Sequence, residues 1–244
     1  MNKGKLIVFS GAGLSAGSGI QTFRGNGGLW NDHKVEEICD LVTWKENRDL
    51  VHSFYNKRRE DLAQFAPNAA HLMIAEWEAR YGDRLVNMTQ NVDDLLEKAG
   101  CKNIQHLHGY MQDMECTACA NTWHIGYTAW NHNEDRCPKC TSKKGVKPGV
   151  VFFNQNAPRY AFLYQEFRTL KKEDVVVVIG TSGMVVNVDM LLFDKPGFKI
   201  LNNLEPSLMI NESFYDKVIY EPCETAIQEI DRLVRKHLDF QLVE

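Results

Sequence analysis

Leu6-Ile7-Val8-Phe9-Ser10-Gly11-Ala12-Gly13-Leu14-Ser15-Ala16 is the stretch that decides the fold. The apolar run Leu6 to Phe9 is short and unbroken, and it stops at Ser10-Gly11. Such a run reads as a strand buried on both faces, as in a parallel sheet. Gly11 to Ala16 then fits G-x-G-x-x-[GA] directly after the strand. In that setting the first glycine allows the turn, the second lets backbone approach a pyrophosphate, and Ala16 permits close packing of a helix on the sheet. The helix N-terminus would face the anion. The same pattern also occurs as a glycine-rich turn with no ligand. No acid ends a second strand about 20 residues on, where a ribose contact would be expected. Glu36 and Glu37 lie near that distance, but in a helix-like stretch.

Outward from this unit, similar apolar runs recur at Leu85 to Met88, Val175 to Ile179, Phe198 to Leu201 and Val218 to Tyr220. Helical patterns separate them. Asn68 is placed to cap a helix over Ala69 to Arg80, and Gly100 to close one over Val92 to Ala99. Ile227, Ile230, Val234 and Leu238 recur at helical spacing near the end. Strands alternating with helices predict an α/β fold with a mostly parallel sheet. Two stretches interrupt the alternation: Asn31 to Phe65, long and helix-like, and Glu115 to Lys147, polar and rich in cysteine. The expected division is a sheet domain from 1–30, 67–112 and 148–244. A helical insertion at 31–66 and a metal module at 113–147 would form a smaller lobe.

The chain has 244 residues, 44% hydrophobic and 25% charged, with a formal net charge of −4. That composition is ordinary for a globular domain and can bury a sizeable core. The acidic balance argues against nucleic acid and anionic membranes as partners. The longest uncharged run, Val175 to Val188, is about 14 residues, too short for a spanning helix. The apolar start is too short for a signal-peptide core, so a cytoplasmic location is expected. Of 7 cysteines, four form two tight pairs, Cys116-x2-Cys119 and Cys137-x2-Cys140. The pairs lie about 17 residues apart, inside the window for a four-thiolate zinc site. Four protein ligands would close the coordination sphere, so the expected Zn2+ is structural, one per chain. A four-cysteine iron–sulfur cluster is the alternative reading.

Further motifs fall at strand ends, where parallel sheets bind ligands. Thr89-Gln90-Asn91-Val92-Asp93 follows a strand and opens a helix, so Asn91 or Asp93 is equally placed to cap it. His106-Leu107-His108-Gly109 puts a histidine before a glycine, a candidate general base or a structural hydrogen-bonded ring. Gly180-Thr181-Ser182-Gly183 follows Val175 to Ile179 and suits a phosphate or ribose contact, or a plain turn. One residue is out of place. Leu50, Val51, Phe54 and Leu62 share a helical face, Arg58 falls inside that stripe, and Tyr55 sits at its margin. A guanidinium there needs an anionic partner from the protein or a ligand, or must snorkel.

Taken together the motifs resemble the sirtuin family of NAD-dependent protein lysine deacylases. The carrying segments are GAGLSAGSGIQTFRG at 11–25, TQNVDDL at 89–95, HLHG at 106–109, the four cysteines, GTSG at 180–183 and NLEP at 203–206. FYNKRR at 54–59 resembles the bacterial members of desuccinylase type, in which a Tyr and an Arg at the positions of Tyr55 and Arg58 hold an acyl carboxylate. The resemblance implies a Rossmann-like sheet domain with a smaller zinc-ribbon and helical lobe. It implies NAD bound by Gly11, Ala12, Gly13, Ser15, Thr22, Phe23 and Arg24, by Gln90, Asn91, Val92 and Asp93, and by Gly180, Thr181 and Ser182. Asn203, Leu204, Glu205 and Cys223 would lie at the adenosine end. His108 would act as general base on a ribose hydroxyl, with Asn91 and Asp93 beside it. Val151, Phe152 and Phe153 would bind the peptide carrying the acylated lysine, and the products would be lysine, nicotinamide and O-acyl-ADP-ribose.

Three features depart from the family pattern. Asn154-Gln155 stands where many members have Gly-Glu. Met184 to Asp189 replaces a Tyr-Pro-Ala-Ala type stretch. Cys39 stands where the desuccinylase-type members often have Ala. The altered peptide-side residues keep two rival readings in play: NAD hydrolysis or mono-ADP-ribosyl transfer on the same fold, and a non-catalytic, NAD-sensing zinc-ribbon protein.

Overall fold

The computed structural model describes residues 3–22 and 34–239. Phe23 and Arg24, expected in the cofactor loop, lie outside the described residues, as does the start of the helical insertion. In chain order the strands are β1 (Leu6–Ser10), β2 (Leu85–Thr89), β3 (Ile104–His106), β4 (Gly109–Cys116), β5 (Thr122–His124), β6 (Val146–Val150), β7 (Val175–Ile179), β8 (Phe198–Asn203) and β9 (Lys217–Tyr220). The helices are α1 (Gly13–Ala16), α2 (Val35–Ile38), α3 (Arg48–Leu62), α4 (Ala69–Tyr81), α5 (Leu95–Ala99), α6 (Tyr160–Arg168), α7 (Val188–Leu192) and α8 (Cys223–Asp239).

The large sheet has six strands in the order β3-β2-β1-β7-β8-β9. Every pairing in it is parallel. Alternation along β1 sends Leu6 and Val8 to one face and Ile7 and Phe9 to the other. On the first face α4 and α8 cover the sheet through Ile74, Trp77, Ile227, Ile230 and Val234. On the second face Leu163 and Phe167 of α6 and Leu191 and Leu192 of α7 do the same. With both faces covered, Val175 to Ile179 are all fully buried. Each such side chain contributes on the order of 1.5–3 kcal/mol. From β1 the sheet grows to β2 and β3 on one side and to β7, β8 and β9 on the other. The crevice at the carboxyl end of β1 is therefore the switch point at which such sheets bind ligands.

The smaller sheet is antiparallel, in the order β5-β4-β6. Its strands run beyond the expected module, starting at Gly109 and ending at Val150. Its own core is slight: Met114, Trp130 and Val146, flanked by Trp123 and Ile125. A second apolar cluster gathers Ile38, Trp44, Val51, Phe54, Leu62 and Phe152 under α3.

Several local expectations hold. The Asn68 side chain accepts from the amides of Ala70 and His71 and caps α4. Gly100 closes α5 in the left-handed region, at φ 107°. Others need correction. The described part of the 31–65 stretch is not one helix: a single turn, α2, and a run of turns precede α3. Helix α5 begins at Leu95 rather than Val92, because the Asp93 side chain accepts from the Leu95 amide and keeps Asn91 to Asp93 in a turn. Strand β6 stops at Val150. Beyond it the Val151 amide donates to His108 and the Phe153 amide to Cys39, two partners on different elements.

Candidate active site

Two glycine loops meet at the carboxyl end of β1. The Gly11 amide donates to the Ile179 carbonyl (3.0 Å) and the Gly13 amide to that of Gly180 (2.8 Å). A Cβ on Gly13 would lie 2.6 Å from Gly180 Cα, and one on Gly180 would lie 2.3 Å from the Leu14 nitrogen. The glycines are thus required by backbone packed on backbone, a reason the motif reading did not contain. The helix that follows is a single turn, with Ser15 buried in it.

Ser15 is the hub of a buried network. Its hydroxyl donates to Asp93 Oδ2 at 2.9 Å, and Asn91 Nδ2 donates to it at 3.1 Å. The His71 ring backs the same hydroxyl at 3.3 Å, with its other nitrogen against Asn68. Burial raises the Asp93 carboxyl above its usual range, opposed by the Leu95 amide and the Ser15 hydroxyl. Burial pushes the His71 imidazole down to about 4. Asp93 therefore both fixes the turn into α5 and joins the site. Asn91 is fixed from the other side by its own amide donating to Thr89 Oγ1 (3.0 Å), and Ser10 Oγ donates to the same oxygen (2.9 Å).

The third loop is tied to the second. Gln90 Nε2 donates to Thr181 Oγ1 (3.0 Å), and Asn203 Nδ2 donates to the Thr181 carbonyl (2.9 Å). Ser207 Oγ donates to the Ser182 carbonyl (2.7 Å). Leu204 is 71% exposed, so its side chain holds nothing within the described residues. Glu205 is exposed as well. Cys223, at the start of α8, is buried with its thiol toward the Leu14 carbonyl, and burial pushes it up to about 12. It stays a neutral thiol.

A cavity of about 330 Å³ opens beside this network. Ala12, Ser15, Asn91, Val92 and Asp93 line one side, and Arg58, Leu62 and Met111 line the other. Thr22 lies just beyond the lining residues Ile20 and Gln21. Arg58 sits over the Phe54 ring at 4.7 Å. Tyr55, one turn earlier on α3, is not part of this lining. It is buried, stacks on Phe152 at 5.9 Å, and shares a hydrogen bond with the Cys39 thiol.

His108 is outside this lining and is held on the backbone of Gln90, one residue before Asn91. Its Nδ1 lies 3.1 Å from the Gln90 carbonyl and its Nε2 lies 2.8 Å from the Tyr160 hydroxyl. Burial pushes the imidazole down to about 4. It is neutral near pH 7, as a base must be. Gly109 follows because the backbones of β4 and β6 cross there: a Cβ would lie 2.2 Å from the Gly149 carbonyl oxygen. The neighbouring His106 plays another part, with Nδ1 on the Asn91 carbonyl (2.9 Å) and Nε2 on Glu97 (2.7 Å).

The departures noted in the sequence find local partners. Asn154 has φ 62°, where Gly would be unstrained, and its side chain donates to Asp40 (2.6 Å). Gln155 accepts from the Phe152 amide and donates to Glu115, which pairs with the fully buried Lys147 at 2.8 Å. Asn187 caps α7, and Asp189 accepts from the Asn211 amide. Phe152 is buried and Phe153 is 40% exposed at the molecular surface.

The four cysteines converge away from the cavity. Their sulfurs all lie within 4.8 Å of one another, with Cys116–Cys140 at 3.6 Å and Cys119–Cys137 at 3.7 Å. A tetrahedron with Zn–S near ~2.3 Å has edges of about 3.8 Å. The two pairs also fold alike. The Cys116 sulfur accepts from the amides of Ala118 and Cys119, and the Cys137 sulfur from those of Lys139 and Cys140. Each turn ends in a residue at positive φ, Ala120 at 55° and Thr141 at 59°. The donor set and spacing fit a structural zinc ion.

Helix α3 links cavity and cysteines. Asn56 Nδ2 donates to the Trp130 carbonyl while the Trp130 amide donates to Asn56 Oδ1, both at 2.9 Å. Arg59 is fully buried and donates to the Met111 carbonyl (2.9 Å) and to Asn56 Oδ1 (2.8 Å). Sequence reasoning singled out Arg58 and missed Arg59. The apolar stripe marks only one of the two faces that α3 buries. It also missed His71, for which Asn68-x-x-His71 at a helix start was an available signal, and Tyr160, for which there was none.

A doubly wound α/β sheet carrying a four-cysteine ribbon and a helical lobe defines the class. The Sir2 family description matches residues 11–187, and this chain belongs to the Sir2 family. It is 43% identical to an NAD-dependent protein deacylase of Helicobacter hepaticus, over 93% of this chain and 96% of that protein. It is 40% identical to one of Campylobacter jejuni, over 92% and 93%. Among solved structures it superposes on a Sir2 homolog–NAD complex with TM-score 0.80 and 34% identity, covering 97% of this chain and 91% of that one. A mutant Sir2 homologue bound to ADP-ribose gives 0.82 and 33%, covering 98% and 94%.

Proposed function

We propose that this chain is an NAD-dependent protein lysine deacylase that removes acetyl groups and also succinyl or malonyl groups. The observation that carries the reading is the Ser15–Asn91–Asp93 network, at the switch point of the sheet and on the wall of one cavity, with a neutral His108 held on the Gln90 carbonyl one residue before Asn91. NAD, when bound, supplies the ribose carbon that accepts the acyl oxygen as nicotinamide leaves. The chain's part is orientation and proton handling. Asn91 and Asp93, locked by Ser15, present an amide and a carboxyl to the nicotinamide end. A carboxylate and amides suit a centre that gains positive charge in the transition state. His108 takes a proton at Nε2 from a ribose hydroxyl, and the Gln90 carbonyl steadies the Nδ1–H of the cation so formed.

The remaining assignments follow the same reading. Gly11, Ala12, Gly13, Thr22, Gln90, Val92, Gly180, Thr181 and Ser182 surround the dinucleotide, with Asn203, Leu204, Glu205 and Cys223 toward adenosine. Val151 to Phe153 holds the peptide. Cys116, Cys119, Cys137 and Cys140 hold a zinc ion that braces the small lobe and takes no part in the chemistry. Arg58 reaches the acyl group from α3, and a terminal carboxylate there would form a charge-assisted pair. Tyr55 joins it by leaving Cys39.

The test is nicotinamide release from NAD with no peptide, with acetyl-lysine peptide and with succinyl-lysine peptide. Release that requires acylated peptide supports the reading. Equal release without peptide favours NAD hydrolysis or ADP-ribosyl transfer. No release in any arm from folded, zinc-loaded protein favours the non-catalytic reading.

A further inference from the structure

Tyr160, the first residue of α6, touches the proposed base and has no part in the mechanism above. We propose that Tyr160 is a positioning residue for His108. Its hydroxyl donates to Nε2, holds the ring in the Nδ1–H form, and keeps Nε2 aimed at the place where the ribose hydroxyl arrives.

Hydrogen-bond bookkeeping leads to this assignment. The Gln90 carbonyl, 3.1 Å from Nδ1, can only accept, so Nδ1 carries the proton. A neutral imidazole has one N–H, so Nε2 presents a lone pair. The hydroxyl 2.8 Å away must then be the donor. Burial raises the Tyr160 phenol, which therefore keeps its proton and stays a donor. The tyrosine is itself well held. Its amide donates to the Ala157 carbonyl (3.1 Å), its ring packs on the core under α6, and Tyr164 stands edge-on to it at 6.1 Å. The two ring nitrogens face the Gln90 carbonyl and the Tyr160 hydroxyl.

The lone pair that Tyr160 occupies is the one the base uses. When the ribose hydroxyl arrives it takes the place of the tyrosine hydroxyl at Nε2. The ribose O–H bond breaks, the Nε2–H bond forms, and Tyr160 keeps its own proton. A hydrogen bond donated to Nε2 stabilises the neutral ring, so removing it makes the ring easier to protonate.

The inference rests on His108 being the base, and the test separates the two claims. Zinc-loaded protein with 15N-labelled histidine and no NAD is titrated by NMR, as wild type, Tyr160→Phe and Tyr164→Phe. In the wild type Nδ1 is protonated and the Nε2 signal is that of a hydrogen-bonded lone pair. Tyr160→Phe moves Nε2 to the position of a free lone pair and raises the His108 pKa by roughly half a unit to one unit. The acid limb of kcat/KM moves to higher pH by the same amount. Tyr164→Phe changes neither. An Nε2–H tautomer in the wild type, or an unchanged His108 titration in Tyr160→Phe, overturns the inference. The NMR readout needs no turnover, so a failed deacylase assay leaves it intact, and a failed titration leaves the deacylase reading standing.

Discussion

The turn from Gln90 to Asp93 and the helix α3 face each other across one cavity and are held by opposite means. The turn grows out of the sheet. Gln90 donates to the Ser10 carbonyl at the end of β1, and Asn91 is locked between Thr89 and Ser15. Behind it lies a core covered on both faces. Helix α3 packs not on the parallel sheet but on β4 and β6 of the small one. One side rests on the apolar cluster around Phe54 and Phe152, and the other is hooked to the ribbon backbone by Arg48, Asn56 and Arg59. The scaffold therefore secures the groups assigned to NAD. The groups assigned to the acyl chain depend on a ribbon that a metal must hold together.

Removing the metal should separate the two regions most sharply. Chelation takes away on the order of 10 kcal/mol from the ribbon. Amide exchange should then lose protection in β4 to β6 and along α3, while β1, β2 and β7 keep theirs. Loss of protection in all of these together would mean that the two regions fold as one and that the contrast is false.

Acid should strike both sides. His71, behind Ser15, and His52, in α3 and stacked on His132 at 5.1 Å, are each pushed down to about 4, by burial above all. A folded-state pKa below the unfolded value of about 6.5 favours the neutral ring. That stability is present above pH 6.5 and is lost as pH falls toward 4. By pH 5 these two rings should cost roughly 2–4 kcal/mol, with His108 adding in the same direction, read as a falling Tm, and His71→Gln and His52→Gln should each flatten the curve. His106 opposes the trend. Burial lowers it, but Glu97 and the Asn91 carbonyl raise it to a net upward shift. A Tm that does not change between pH 6.5 and 5 would contradict the buried-neutral reading of both rings.

The smallest effect is the most specific. Arg58→Met should cost succinyl-lysine turnover roughly 10- to 100-fold relative to acetyl-lysine turnover, the worth of one charge-assisted contact. Equal losses on both substrates would take Arg58 out of acyl recognition and leave it a packing residue on Phe54.

The scaffold side was also the more legible one. Strands announced themselves as unbroken apolar runs, and the Gly11, Asn91, His108 and Gly180 motifs fall where those strands end. The ribbon was legible through cysteine spacing alone. Helix α3 was only half legible, because a face that sets Asn56 and the buried Arg59 against backbone carbonyls leaves no apolar stripe. Tyr160 was not legible at all. Its meeting with His108 spans 52 residues and arises from the way α6 docks on the sheet.

In the proposed reaction the acyl group leaves lysine for ADP-ribose on this chain. The direct measurement is to follow it. A peptide with an isotopically labelled acetyl-lysine is incubated with NAD and zinc-loaded protein, and the products are weighed by mass spectrometry. The expected product is labelled O-acetyl-ADP-ribose, one equivalent for each lysine freed, and none from His108→Ala. Free ADP-ribose or ADP-ribosylated protein, with the acetyl-lysine untouched, would contradict it.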